Sequence, residues 1–150
     1  ILMNHYANII RRLYIDIDTL NESKDTNETN VDFKLVNNEL IYKSYKFIID
    51  YKYPFTTPKL MVEDTDYINY FIKKYNVYNE KLPFIKVKCP CCYNIICNWS
   101  PCYNLTNIFN EYKEYREIYN QLFHFFIFYN AKIFDDLVYK NISDYFIDQY

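Results

Sequence analysis

Glycine is absent from the 150 residues of this chain, and tryptophan occurs only once. Turns that need a positive φ must therefore use other residues, and Asn and Asp are the next most tolerant types. The pair Asn37-Asn38 is accordingly predicted to form a hairpin turn. We attribute the lack of glycine to mutational pressure from an AT-rich genome, because Asn, Tyr, Ile, Lys and Phe are all abundant.

The chain also lacks a strong charge and long apolar runs. Its formal net charge is -2, so no basic excess is available to bind nucleic acid or an anionic membrane surface. Apolar runs are far shorter than the roughly 18 residues that a membrane span requires. The N-terminus reaches Arg11 and Arg12 without an uninterrupted apolar h-region, which predicts no signal peptide. A first residue other than Met indicates a domain trimmed from a longer product. We expect a soluble cytoplasmic or nuclear protein without membrane or nucleic-acid partners.

The length and a hydrophobic content of 51% predict one domain over residues 1–150 that folds without disulfides or metal. Apolar residues at three- and four-residue spacing predict a first helix over residues 4–20 that covers one face of a sheet. Residues 21–30 are polar throughout and are expected to form a mobile loop. Alternating residues from Val31 to Leu35 and the aromatic, β-branched segment 40–51 predict the two strands of an antiparallel hairpin.

Proline and helical periodicity organise the rest of the chain. Pro54 and Pro58 predict that their segment leaves the sheet, because proline cannot donate a hydrogen bond to a ladder. A short strand over residues 59–62 and an inserted helix over residues 64–78 should follow. The cysteine-rich segment 89–102 is expected to be irregular. A long helix with Asn104 as its N-cap should come next. His124 lies in that helix and is expected to be packed in the hydrophobic core. A last helix should cover residues 135–150.

Three local motifs resemble those of the ubiquitin-conjugating (E2) enzymes. The strand ending at Asp50 runs into Tyr53-Pro54-Phe55 and Pro58, as the family's third strand runs into its Y-P-F-x-P-P loop. Trp99-Ser100-Pro101 precedes a helix, and Cys92 has aliphatic residues three and four positions later. The resemblance implies an α+β fold of the E2 (UBC-like) type, with a small antiparallel sheet of three or four strands flanked by an N-terminal helix and C-terminal helices.

The resemblance makes Cys92 the thiol that accepts ubiquitin, or a ubiquitin-like protein, as a thioester. Cys91 is the alternative acceptor, because it lies eight residues before Trp99, as the family's cysteine does. The family places the asparagine of an H-P-N triplet eight residues before its cysteine, and that position holds Phe84 here. The side chain of Phe84 cannot donate a hydrogen bond to an oxyanion, and one such donor is worth about 10² to 10³ in rate.

The resemblance also implies partners and further site residues. An activating E1 enzyme would supply the modifier. An E3 ligase would meet the two loops that carry Phe55, Trp99, Ser100 and Pro101. The alternative is that Trp99 is only a core residue and that the prolines only make the two loops rigid. Asp136 is a weak candidate for the acidic residue that helps to deprotonate an incoming lysine, and the alternative is an N-terminal helix carboxylate favoured by the helix dipole. No cofactor is implied, and a monomer is expected.

Two other classes of protein compete with an active enzyme. Phe84 keeps open an E2-like scaffold that binds ubiquitin or a partner without forming a thioester. The third class is a zinc-stabilised interaction module. Its ligands would be Cys89, Cys92, Cys97 and Cys102, although their C-x2-C-x4-C-x4-C spacing is not a strong zinc signature.

Overall fold

The computed structural model describes residues 2–23, 32–82, 85–132, 135–138, 140, 141 and 144. It is an α+β structure with a five-stranded antiparallel sheet, an N-terminal helix and C-terminal helices. Its elements in chain order are α1 (Leu2–Glu22), β1 (Lys34–Val36), β2 (Glu39–Tyr42), β3 (Tyr45–Ile48), β4 (Lys59–Val62), β5 (Thr65–Asp66), α2 (Tyr67–Lys81) and α3 (Leu105–Asn130). Residues 136–138, 140, 141 and 144 are helical as well, while the rest of the predicted last helix lies outside the described residues.

The first helix is confirmed, and it is two residues longer at each end than its apolar pattern predicted. Ile17 and Leu20 are buried on its inner face, whereas Ile10 and Tyr14 from the same predicted stripe are exposed. The predicted polar loop over residues 21–30 is wrong at its start, because residues 21 and 22 belong to α1, and residues 24–30 lie outside the described residues. The end of α1 is joined to the start of the sheet, because the side-chain oxygen of Asn21 accepts the backbone N–H of Phe33 at 2.8 Å.

The sheet is a meander in which each strand pairs with the next one in sequence. The predicted Asn37-Asn38 turn is confirmed: Val36 pairs with Glu39 across it, and the two Asn residues have φ of 49° and 65°. Positive φ is not restricted to Asn and Asp, however. Glu63 has φ of 49° in the turn that joins β4 to β5, so this glycine-free chain also places longer side chains in the left-handed region.

The prediction of one strand over residues 40–51 is wrong. The segment contains two strands, β2 and β3, which pair with each other around Lys43 and Ser44. Lys43 has φ of 52°. A Lys-Ser pair does not predict a turn with this backbone geometry, because sequence signals for such turns are usually Gly, Asn or Asp. This extra turn and the short β5 give five strands where three or four were expected.

The register of the strands separates a buried face of the sheet from an exposed one. Leu40, Phe47 and Leu60 pair across β2, β3 and β4, and all three are fully buried. Ile41 and Ile48 point to the opposite face, where they are exposed. Since side chains alternate along a strand, this register fixes which face of the sheet forms the core.

The inserted helix and the long helix predicted after the sheet are confirmed, with shifted ends. The inserted helix is α2, which begins three residues later than predicted because β5 precedes it. Asn104 caps α3 as predicted: its side-chain oxygen accepts the N–H of Asn107 at 3.0 Å, and the side-chain oxygen of Asn107 accepts the N–H of Asn104 at 2.9 Å. The prediction that His124 is packed in the core is wrong, because this residue lies on the exposed side of α3. No helix within the described residues is long and apolar enough to cross a membrane.

The chain forms two compact units, and a single domain over residues 1–150 stays a prediction. Unit 1 consists of Ile1–Tyr67 and Asn94–Tyr112, and unit 2 consists of Ile68–Tyr93 and Lys113–Tyr150. In unit 1, Phe109 of α3 packs edge-on against Phe33 and Tyr45, with ring centroids 5.6 and 5.4 Å apart. In unit 2, Phe71 stacks on Tyr119 at 5.3 Å.

Candidate functional site

The loop after β3 leaves the sheet, as its prolines predicted, and folds on itself. The carboxylate of Asp50 accepts the N–H of Lys52 at 2.7 Å, and the carbonyl of Lys52 accepts the N–H of Phe55 at 2.8 Å. Tyr53 and Pro54 are buried, and the Tyr53–Pro54 peptide bond is cis. Phe55 is 62% exposed, so the loop is anchored by its first two motif residues and presents the third to solvent.

The tryptophan segment contacts this loop directly. The indole N–H of Trp99 donates a hydrogen bond of 2.8 Å to the carbonyl oxygen of Pro54, and its ring centroid lies 6.2 Å from that of Tyr53. Trp99 and Ser100 are half-buried, while Pro101 is exposed. All of these residues belong to unit 1, which therefore brings the two predicted partner loops together.

A partly buried ion pair within α1, formed by Arg12 and Asp16, contacts both loops. Asp16 is 3% exposed and accepts hydrogen bonds from the Tyr53 hydroxyl and from Nε of Arg12, at 2.8 Å for the nearer oxygen. The guanidinium of Arg12 also donates to the carbonyl of Tyr103 at 3.0 Å. Burial, and then the hydrogen bond to Asp16, raise the pKa of Tyr53, so its hydroxyl stays protonated as a donor. The two residues thus connect the first helix to both loops, Asp16 through Tyr53 and Arg12 through Tyr103.

Sequence reasoning missed this network, although a signal for it was present. Asp16 lies three residues after Leu13 and four before Leu20, so it occupies the apolar stripe of α1. An acidic residue on such a stripe needs a buried partner, and Arg12 stands one turn earlier at a favourable spacing. What the sequence does not show is that Tyr53 supplies the second partner from 37 positions along the chain.

The segment after Cys92 is held by Glu111 of α3. One oxygen of that carboxylate accepts the N–H of Ile95 at 2.9 Å, and the other accepts the hydroxyl of Tyr67 at 2.7 Å. Asn94 is buried, and its side-chain oxygen accepts the N–H of Cys97 at 2.8 Å. The sequence predicted that this stretch is irregular. Its backbone N–H groups are held by side-chain acceptors instead of by the backbone hydrogen bonds of a sheet.

The three cysteines of unit 2 lie in a row. The Sγ atoms of Cys89 and Cys91 are 2.6 Å apart, and those of Cys91 and Cys92 are 3.1 Å apart. The hydrogen bonds that Cys91 shares with Cys89, the largest cause, and with Cys92 raise the pKa of the Cys91 thiol to about 12. Cys91 is half-buried and Cys92 is exposed. Since the thiolate is the nucleophile, a protonated Cys91 is the poorer acyl acceptor of the two candidates.

The remaining predicted site residues are dispersed or not described. Cys97 and Cys102 belong to unit 1 and are exposed, with Sγ of Cys102 2.7 Å from Oγ of Ser100. Asp136 is exposed one residue after Asp135, whose carboxylate accepts the N–H of Val138 at 3.0 Å. Phe84 lies outside the described residues.

Within the described part of the chain, no group of three or more His, Cys, Asp or Glu side chains is arranged to hold a metal ion. Comparison of the chain with protein-family models, with curated proteins and with solved structures gave no match in any of the three.

Proposed function

We propose that this chain is a ubiquitin-conjugating enzyme, in which Cys92 accepts ubiquitin or a ubiquitin-like protein as a thioester. The observation that carries the proposal is the hydrogen bond between Trp99 and Pro54. It joins two motifs that are 45 residues apart and that were singled out because they resemble the two loops with which the family meets its ligases. The sheet supports the proposal in general terms, because an N-terminal helix is followed by antiparallel strands in chain order.

Cys92 is the proposed acceptor because it combines exposure with the family's spacing to two aliphatic residues. Its thiolate attacks the carbonyl carbon of the thioester on the activating enzyme and expels that enzyme's cysteine as a thiolate, so the acyl group moves without any redox change. Cys91 is the weaker candidate, since its raised pKa leaves little thiolate at neutral pH. Asp136, which is exposed, remains the candidate for an acidic group near the incoming lysine.

The proposed surface for an E3 ligase contains Phe55 and Pro101, with Ser100 and Trp99 beside them. Phe55 and Pro101 expose apolar side chains on loops that are anchored from below by Tyr53 and Trp99. Exposed apolar tips on rigid loops suit transient interfaces. The proposed protein works as a monomer in the cytoplasm or nucleus, with E1, E3 and the modifier as partners and without a cofactor.

Charging with a purified E1, ATP and ubiquitin tests the proposal. The wild-type chain should form an adduct that thiol reductant cleaves, because a thioester exchanges with free thiols and an amide does not. Cys92→Ser should give an adduct that resists reductant, as an oxyester does, whereas Cys91→Ser should still give the labile adduct. A labile adduct that survives in Cys92→Ser and disappears in Cys91→Ser would move the acceptor to Cys91.

The two competing classes give different results in the same preparation. If no ubiquitin-like modifier charges any cysteine, an E2-like scaffold that binds without a thioester takes the place of the enzyme. Elemental analysis addresses the zinc module, because a structural site retains close to one equivalent of the metal. Zinc at that level, lost together with the fold in Cys89→Ser and Cys97→Ser, would support the module.

A further inference from the structure

The cysteine row in unit 2 contains two thiols that the proposed acyl transfer does not need. Acyl transfer uses one acceptor sulfur, yet Cys89, Cys91 and Cys92 lie in sequence with their Sγ atoms 2.6 and 3.1 Å apart. Cys89 and Cys91 are half-buried, and only Cys92 is exposed. Cys91 is the central sulfur, since it contacts the other two.

Backbone geometry decides which pair can be bridged. The Cα atoms of disulfide-linked residues are usually about 4.4 to 6.8 Å apart. The peptide bond between Cys91 and Cys92 is trans, which holds their Cα atoms about 3.8 Å apart, so a bridge between these neighbours would strain the chain. Cys89 and Cys91 are separated by Pro90. The Cα atoms of residues two apart are at most about 7 Å from each other, so the Cα–Cα distances that suit a disulfide are within reach of this pair.

The sulfur positions favour the same pair. A disulfide bond is about 2.05 Å long, so the sulfurs of Cys89 and Cys91, now 2.6 Å apart, need to approach by only about half an ångström. The sulfurs of Cys91 and Cys92 start farther apart, at 3.1 Å. Both arguments therefore select Cys89 and Cys91 over the adjacent pair.

We propose that Cys89 and Cys91 form a redox-active dithiol that hydroperoxides oxidise to a disulfide, leaving Cys92 as a free thiol. The Cys89 thiolate attacks the peroxide and breaks the O–O bond, which gives a sulfenic acid. The proton released by the Cys89 thiol joins the departing hydroxide, so hydrogen peroxide yields one water at this step. The sulfur of Cys91 then attacks the sulfenic sulfur, forms the S–S bond and releases a second water. The two thiols lose two electrons and two protons, and the peroxide gains both.

This redox site does not rest on the proposed acyl transfer, since it requires only the sulfurs of Cys89 and Cys91. If Cys92 is the acyl acceptor, the bridge consumes the two thiols beside it and leaves the acceptor sulfur itself unbridged. A disulfide involving Cys92 would instead remove the acceptor. The location of the bridge therefore determines whether oxidation blocks charging.

The test counts free thiols after treatment with hydrogen peroxide and quenching with catalase. The protein is unfolded, its remaining thiols are alkylated with N-ethylmaleimide, and the intact mass is measured. All five cysteines should be alkylated before treatment. After treatment, three should be alkylated and the underlying mass should fall by two hydrogen atoms, and a reductant should restore all five. A Cys97→Ser/Cys102→Ser double variant is the matched control, and it should form the bridge as the wild type does.

Single variants in that double background identify the pair. Cys92→Ser should retain the bridge, whereas Cys89→Ser and Cys91→Ser should lose it. Cys89→Ala and Cys91→Ala repeat the test with a different side chain, and far-UV circular dichroism checks that each variant is folded. Loss of the bridge in Cys92→Ser, its retention in Cys89→Ser, or five alkylated cysteines in the peroxide-treated wild type would each overturn the proposal.

Discussion

Replacing Tyr53 with Phe removes a single hydroxyl from the network that joins α1 to the two partner loops. Tyr53 is 1% exposed and its hydroxyl donates to the buried carboxylate of Asp16. A hydrogen bond to a charged group contributes about 1.5 to 3 kcal/mol, and the ring itself is retained. We therefore expect Tyr53→Phe to lower the free energy of unfolding by about 2 kcal/mol, which lowers the melting temperature by roughly 4–8 °C for a chain of this length.

Tyr119→Phe is the matched control for that experiment. Tyr119 is 2% exposed, and its hydroxyl has no hydrogen-bond partner among the residues that the structure describes. Removing a buried hydroxyl that is not hydrogen-bonded should leave stability unchanged or raise it. Urea unfolding followed by circular dichroism measures both variants. Equal losses for Tyr53→Phe and Tyr119→Phe, or a loss below about 0.5 kcal/mol for Tyr53→Phe, would refute the assignment of Asp16 as the connecting residue.

Three further changes test other parts of the account. Burial is the largest cause that raises the pKa of Tyr53 and Tyr119 above 10.0 in the folded chain. As the pH rises above about 10, the unfolded chain therefore loses protons that the folded chain keeps, and the urea midpoint should fall. The fall should be less steep in the Tyr53→Phe/Tyr119→Phe double variant. Glu63→Gly should raise the free energy of unfolding by up to about 1 kcal/mol, since Glu63 has φ of 49° and glycine adopts that region without a steric penalty; the same change at Lys46 within β3 should lower it. Phe55→Ala should slow ligase-dependent discharge of the charged protein while leaving charging by E1 intact. A variant that matches the wild type in both assays would show that Phe55 does not belong to the partner surface.

Much of the fold follows from local signals in the sequence. The Asn37-Asn38 turn, β4, α2 and the Asn104 cap were predictable because turn residues, β-branched runs, helical spacing and capping side chains each act within a few residues. The break between β2 and β3 was not predictable, because Lys43 adopts a positive φ that its residue type disfavours. The pairing of neighbouring strands supplies the hydrogen bonds that hold it there.

In the candidate site too, local features could be predicted from the sequence and contacts between distant positions could not. The motifs around Phe55 and Trp99 could be found in the sequence, and their contact through Pro54 agrees with the proposed role. The sequence marks Asp16 as an acidic residue on an apolar stripe, but it assigns neither Tyr53 as its partner nor Glu111 as a connecting residue, because the fold brings these contacts from distant positions. The sulfur row was visible only as a count of cysteines, since spacing alone does not say which thiols touch.

The most direct measurement of the central claim is the location of the acyl group on the charged wild-type protein. The chain is charged with E1, ATP and ubiquitin, digested at acid pH without reductant, and its cysteine peptide is sequenced by tandem mass spectrometry. The account predicts the modifier's C-terminal residues on Cys92, with Cys89 and Cys91 unmodified by them. A modifier attached to another cysteine or only to lysine, or no attachment at all, would contradict it.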